Sequence, residues 1–150
     1  MLGDILRRLT AEPDATPMSR EDSRLALAAL MVRLARQDEH YSESERQVIE
    51  RVLRSRYGVD AAAARALREE AETLEAEASD TVRFTRLIKE AVPYEEREGV
   101  IEALWRVALT DGIQAEEHGL MRLVAALCGV SDVDSGLARQ RVEARLAEGG

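Results

Sequence analysis

The sequence is poor in cysteine, proline and aromatic residues: its 150 residues include one cysteine, three prolines and 3% aromatic side chains. The single Cys128 excludes a disulfide framework and a cysteine-based zinc site within the chain, which fits a reducing compartment. Residues 1–9 are too few and too charged for a signal peptide, and no segment is long and apolar enough to span a bilayer. We therefore expect a cytoplasmic protein.

The chain is acidic, with 29 Asp and Glu against 21 Lys and Arg and a net charge of −8. A protein that binds a nucleic-acid backbone should present a basic face, so we expect no nucleic-acid partner. The charge permits binding of cations or of basic proteins. Solubility alone would also explain it.

The apolar positions recur with the spacing of helices, and the Ala-, Leu-, Glu- and Arg-rich composition favours the same structure. No run alternates long enough to indicate a strand. The sequence predicts an all-α, single-domain helical bundle of about seven to eight helices. We place them at residues 2–9, 19–37, 42–57, 60–76, from 80, 93–110, 116–128 and from 131 or 134.

Two stretches, residues 29–60 and 103–132, are similar to each other. Asp38 aligns with Asp111, and Gly58 aligns with Gly129. Each copy is predicted to be two amphipathic helices joined by an acidic loop, and two such copies can bury each other's apolar faces. The single domain then divides into an N-terminal helix and linker (1–18), a first repeat (19–60), connecting helices (61–97), a second repeat (98–132) and a C-terminal helix (133–150).

The acidic loops are the candidate metal site, because clusters of carboxylate oxygens suit calcium or magnesium. The spacing is not that of an EF-hand. The alternative is structural, since acids in the first turn of a helix complement its dipole. The candidate ligands are Asp38, Glu45, Asp111, Glu116 and Glu117.

His40 and His118 lie in neighbouring parts of the two loops and, with the carboxylates, could bind a transition metal. The sequence has no Gly-rich phosphate loop, no nucleophile motif and no His-Glu-x-x-His pattern. We therefore expect no enzyme. A small-ligand or enzyme site between the two helical halves is the lesser alternative.

The segments LARQDEHYSESERQVIERVL and VALTDGIQAEEHGLMRLVAALCGV resemble the TerB-like family of bacterial helical proteins, and FTRLIKEAVPYEEREGVIEALWRVALTDG resembles an uncharacterised bacterial subgroup of it. The resemblance covers residues 24–132. It implies an all-α fold of two related halves, acidic loops linked to metal binding, no established catalysis, and a context of tellurite resistance or stress response.

The family's Asp falls on Asp38 and Asp111, and its Glu on Glu45 and on Glu116 or Glu117. The first loop departs from the family pattern, because Glu39 replaces a glycine, and the second loop is shorter than usual.

The expected function is thus a non-catalytic cytoplasmic module that binds a divalent cation at its acidic loops and contacts a protein partner. A purely structural or protein-interaction domain without a metal is the main alternative, and a homodimer is one form that such contact could take.

Overall fold

The computed structural model of the protein describes residues 20–36, 41–77, 81–110 and 119–148. These residues form helices and short connections without any strand, which confirms the all-α class. The predicted helix at 2–9 and its linker lie outside the described residues. The described helices are α1 (Arg20–Ala35), α2 (Glu43–Tyr57), α3 (Ala61–Glu77), α4 (Thr81–Ala91), a 3₁₀ turn (Tyr94–Glu96), α5 (Arg97–Ala108), α6 (Gly119–Leu127) and α7 (Asp132–Ala147).

Helix α1 lies at the centre of the bundle. It contacts α2, α3, α4 and α5, and every residue from 25 to 32 is at most 1% exposed. The sequence predicted a single stripe of Leu27, Leu30, Met31 and Leu34, which was too narrow. A helix that is enclosed on all sides needs apolar residues all round rather than on one face.

Helix α5, the counterpart of α1 in the second repeat, packs directly against it. Helices α3 and α4 cover other sides of α1, while α7 covers α5. Trp105 of α5 is 5% exposed, and its Nε1–H donates to Ser135 Oγ of α7 at 3.1 Å. The first helices of the two repeats are therefore the paired core of the fold.

Local signals set several helix ends as predicted. Ser42 caps α2, and Gly58 ends it with φ of 64°, a left-handed conformation that favours glycine. Ser131 Oγ accepts from the Asp134 backbone N–H at 3.1 Å, so α7 begins at Asp132.

The predicted helix from Pro93 is divided instead. A 3₁₀ turn follows the proline, and α5 begins at Arg97.

Candidate functional site

Most of the predicted metal ligands lie outside the described residues. These are Asp38, Asp111, Glu116 and Glu117, together with the two loop histidines, His40 and His118. Within residues 20–36, 41–77, 81–110 and 119–148, no group of three or more His, Cys, Asp or Glu side chains is placed to hold a metal ion.

Glu45 is the predicted ligand that the structure describes, and it forms a capping box with Ser42. The Glu45 side chain accepts from the Ser42 backbone N–H at 2.9 Å, and the Glu45 backbone N–H donates to Ser42 Oγ at 3.2 Å. This exchange satisfies two amide groups at the start of α2 that have no partner within the helix. Glu45 therefore has a structural role, and its role as a metal ligand stays a prediction.

A network of arginines and glutamates lies beside the first loop, at the end of α1 and along α2 and α3. We call it the loop-flanking network. It consists of Arg33, Arg36, Tyr41, Glu43, Arg46, Glu50, Arg68, Glu72 and Glu75.

Arg68 of α3 is the buried centre of this network, at 8% exposure. Its Nε–H donates to Glu50 at 2.7 Å and its Nη1–H to Glu72 at 2.5 Å. Burial lowers the pKa of the guanidinium, but the hydrogen bonds to both glutamates outweigh burial and raise that pKa. Arg68 therefore keeps its charge and joins α2 to α3.

Tyr41, the residue directly before the Ser42 cap of α2, belongs to the network. Its hydroxyl donates to Glu72 at 2.5 Å. Burial, reinforced by the bond to Glu72 and its negative charge, raises the pKa of this hydroxyl. The guanidinium carbons of Arg36 and Arg46 lie 5.2 and 4.6 Å from the centre of the tyrosine ring, within the range of cation–π attraction.

Glu75 ties the end of α1 to α3. It is 6% exposed and pairs with Arg36 at 2.8 Å and with Arg33 at 3.5 Å. Each glutamate of the loop-flanking network thus has an arginine partner. The positive charges of the arginines offset the negative charges of the glutamates, so the network adds little net charge to the region around the loop.

Sequence reasoning missed this network. The inner face of α3 was predicted from Ala64, Leu67, Ala71 and Leu74, and three of these are fully buried while Leu67 is partly so. The buried Arg68 was not included. The signal that could have found it is the four-residue spacing of Arg68 and Glu72, which places a cation and an anion on one face of a helix.

A second arginine, Arg97, binds backbone carbonyl groups at the ends of two helices. Arg97 donates to the carbonyl oxygens of Val92 and Lys89, each at 3.1 Å, and of Cys128 at 3.4 Å. These carbonyls lie at the ends of α4 and α6, where helices have acceptors without partners. Arg97 therefore holds two helix ends against the start of α5.

In the part of the chain that the structure describes, no helix is long and apolar enough to cross a membrane. Searches of curated proteins and of solved structures gave no match. A family profile described as "Tellurite resistance protein TerB" matches residues 24–140, which is well over half of the chain and includes both repeats. The match agrees with the all-α fold. This chain belongs to the TerB family.

Proposed function

We propose that this protein is a non-catalytic cytoplasmic TerB-like module, which binds a divalent cation at its acidic loops and contacts a protein partner in a tellurite-resistance or stress context. Family membership supports the module itself. The sequence supports the absence of catalysis, because it carries no motif for a nucleophile or a phosphate loop. The buried free thiol of Cys128 is in keeping with a reducing compartment.

The acidic loops carry the cation proposal, because an Asp followed by a Glu recurs in both of them. The glutamates of the loop-flanking network are engaged by arginines. The candidate ligands beside the first loop are therefore Asp38 and Glu45, on which the family's Asp and Glu fall. Asp111 is the counterpart of Asp38 in the second loop. Calcium or magnesium fits a site of oxygen ligands better than zinc does.

Calorimetric titration with calcium, magnesium, manganese and zinc tests this proposal. We expect heat and a thermal shift with at least one of the four, and we expect Asp38→Asn and Asp111→Asn to reduce both. An absence of heat and of thermal shift with all four ions would refute the cation part. Asp60→Asn is a matched control, because Asp60 caps α3 by accepting from the Ala63 amide at 2.8 Å, remote in sequence from both loops.

A second candidate is a protein-interaction module whose loops are structural. Val133 and Leu137 of α7 favour it, because they are 71% and 45% exposed and lie four residues apart on one helix face. Under this hypothesis Asp38→Asn changes stability by only about 0.5–1 kcal/mol through helix-end electrostatics, with or without metal.

The metal dependence of Asp38→Asn and Asp111→Asn separates the two candidates, and the oligomeric state tests whether the face of Val133 and Leu137 binds a second copy. Light scattering on a sizing column should show a dimer that Leu137→Gln dissociates, if this face binds a second copy. A monomer at every concentration would leave a different protein as the partner of this face and would exclude the homodimer.

A further inference from the structure

Two arginines line a pocket between α1, α2 and the connection from α4 to α5. The pocket has a volume of about 610 Å³, and its walls include Arg24, Arg56, Tyr57, Val92, Pro93 and Glu96. Sites for small molecules occupy about 300–1,000 Å³. The pocket is therefore large enough for a compact ligand, and its described wall does not include Glu45, the predicted metal ligand that the structure describes.

Both arginines contact the same aromatic ring. The guanidinium carbon of Arg24 lies 4.8 Å from the centre of the Tyr57 ring, and that of Arg56 lies 5.7 Å away. Burial raises the pKa of the Tyr57 hydroxyl, while the positive charges of Arg56 and Arg24 act against this rise. The Tyr57 ring thus brings the two guanidinium groups close together in the pocket.

The Nε–H groups are the part of these two guanidiniums that lacks a hydrogen-bond partner in the described part of the chain, since Arg56 also makes a side-chain hydrogen bond with Tyr57. Among the residues that the structure describes, the Nε–H groups of Arg24 and Arg56 are buried without a hydrogen-bond partner. By contrast, Arg68 uses its Nε on Glu50 and Arg97 uses its Nε on the Val92 carbonyl. A buried donor without a partner is energetically unfavourable, so both arginines gain from an acceptor that enters the pocket.

The charge of the pocket is opposite to that of the whole protein. The chain carries −8, yet the charged side chains in the described pocket wall are two arginines and the exposed Glu96. The local charge is positive, and Glu96 reduces it. An anion would compensate the charge of the two arginines at this place.

We propose that this pocket binds the phosphoryl group of a small phosphate ester. A guanidinium presents Nε–H and Nη–H as a fork that matches two oxygens of an anion. A carboxylate has two oxygens, which one fork occupies. A phosphoryl dianion has three terminal oxygens and two charges, so it can serve both arginines at once.

Binding requires the guanidinium edges to turn toward the pocket. The unpaired Nε–H groups favour this turn, because each gains a charge-assisted hydrogen bond. Gly99 leaves room for the Arg56 guanidinium, because a side chain at this position would begin 3.1 Å from the Arg56 Nη1. The volume beyond the two forks accommodates the remainder of the ester beside Val92 and Pro93.

Nuclear magnetic resonance of the arginine Nε–H groups tests the proposal directly. The full chain is titrated with inorganic phosphate, glycerol 3-phosphate, acetate and glycerol in the presence of a chelator, so that no bound cation contributes. We expect two Nε–H signals to shift and saturate with phosphate and with glycerol 3-phosphate. Acetate should bind at least about tenfold more weakly, and glycerol should cause no shift.

Variants assign the binding to the pocket. Arg24→Gln and Arg56→Gln should each weaken glycerol 3-phosphate binding about tenfold or more, and Glu96→Gln should strengthen it. Arg65→Gln is the matched control, because Arg65 is an exposed arginine of α3 with a side chain that is 69% accessible. It should leave binding unchanged.

Three results would overturn the proposal. They are no saturable shift with either phosphate compound, equal affinity for acetate and glycerol 3-phosphate, and equal loss of binding in Arg65→Gln. The shifts in the unmodified chain decide the question even if a variant fails to fold. Because the chelator removes divalent cations, the outcome is independent of the proposed cation site.

Discussion

Trp105 of α5 and Ser135 of α7 join these two helices through a hydrogen bond in which the indole Nε1–H donates to the serine Oγ at 3.1 Å. Both residues are nearly inaccessible, at 5% and 6% exposure. Removing the acceptor with Ser135→Ala should lower the free energy of unfolding by about 1–2 kcal/mol, because a buried donor then loses its partner. Urea denaturation monitored by circular dichroism measures this change.

Ser55→Ala is the control for this prediction. Ser55 lies on α2 and is exposed, so the substitution reports the helix propensity gained by alanine without a buried bond. If Ser135→Ala is as stable as Ser55→Ala, the hydrogen bond between α5 and α7 contributes nothing to stability.

Glu45 allows the capping role to be separated from the predicted metal role. Its carboxylate accepts from the Ser42 amide, so Glu45→Ala should cost about 1 kcal/mol of stability in chelator, as loss of a helix cap does. Glu45→Gln keeps an oxygen acceptor and should cost less. Thermal and urea unfolding of both variants, with and without calcium or magnesium, measure the difference.

A role of Glu45 in metal binding would appear only in the unfolding measurements with calcium or magnesium. If Glu45 binds the cation, Glu45→Gln loses metal-dependent stabilisation while it keeps most of its stability in chelator. Equal metal dependence in Glu45→Gln and in the unmodified chain would assign Glu45 to the cap alone.

The helix ends could be predicted because their signals are local. Ser42, Gly58 and Ser131 act on backbone groups within a few residues, and such caps are recognisable in sequence. The enclosure of α1 was not predictable in this way. It depends on four helices that pack on α1, three of which come from distant parts of the chain, and an apolar run such as residues 25–32 fits both a stripe and a fully buried helix.

The loop-flanking network and the arginine pocket differ in the same way, because the sequence contains a local signal for the first and none for the second. The spacing of Arg68 and Glu72 on one helix was available in the sequence, although it did not show that Arg68 is buried. The pocket of Arg24, Arg56 and Tyr57 combines α1, α2 and the connection after α4. No spacing in the sequence indicates that these positions meet, since their contact is a result of tertiary packing.

Cys128 should be unreactive in the folded protein, since the side chain is fully buried and burial raises the pKa of its thiol from 9.0 to about 11. Thiolates, rather than thiols, react with alkylating agents. Iodoacetamide at pH 8 should therefore modify Cys128 only after denaturation, which mass spectrometry can measure. Rapid modification of the native protein would contradict the described burial.

The same thiol makes stability depend on pH. The folded state holds the proton more strongly than the unfolded state, so this contribution is complete below pH 9 and is lost as pH rises toward 11. Between pH 8 and 10 the free energy of unfolding should fall by about 1 kcal/mol through this group. Cys128→Ala should remove that part of the slope. An unchanged slope in the variant would show that other groups cause it.

Arg97 provides a last test, because one guanidinium donates to three carbonyl groups on two helix ends. Lysine keeps the charge but cannot span Val92, Lys89 and Cys128 together, since its ammonium is a single point on a flexible stem. Arg97→Lys should therefore lower the free energy of unfolding by about 1–3 kcal/mol. Hydrogen exchange of the backbone amides near the ends of α4 and α6 should rise at the same time.

Arg65→Lys, at an exposed ion pair with Glu69, is the control and should change stability by less than about 0.5 kcal/mol. Equal effects of the two substitutions would mean that charge alone, and not the fork of donors, holds the helix ends.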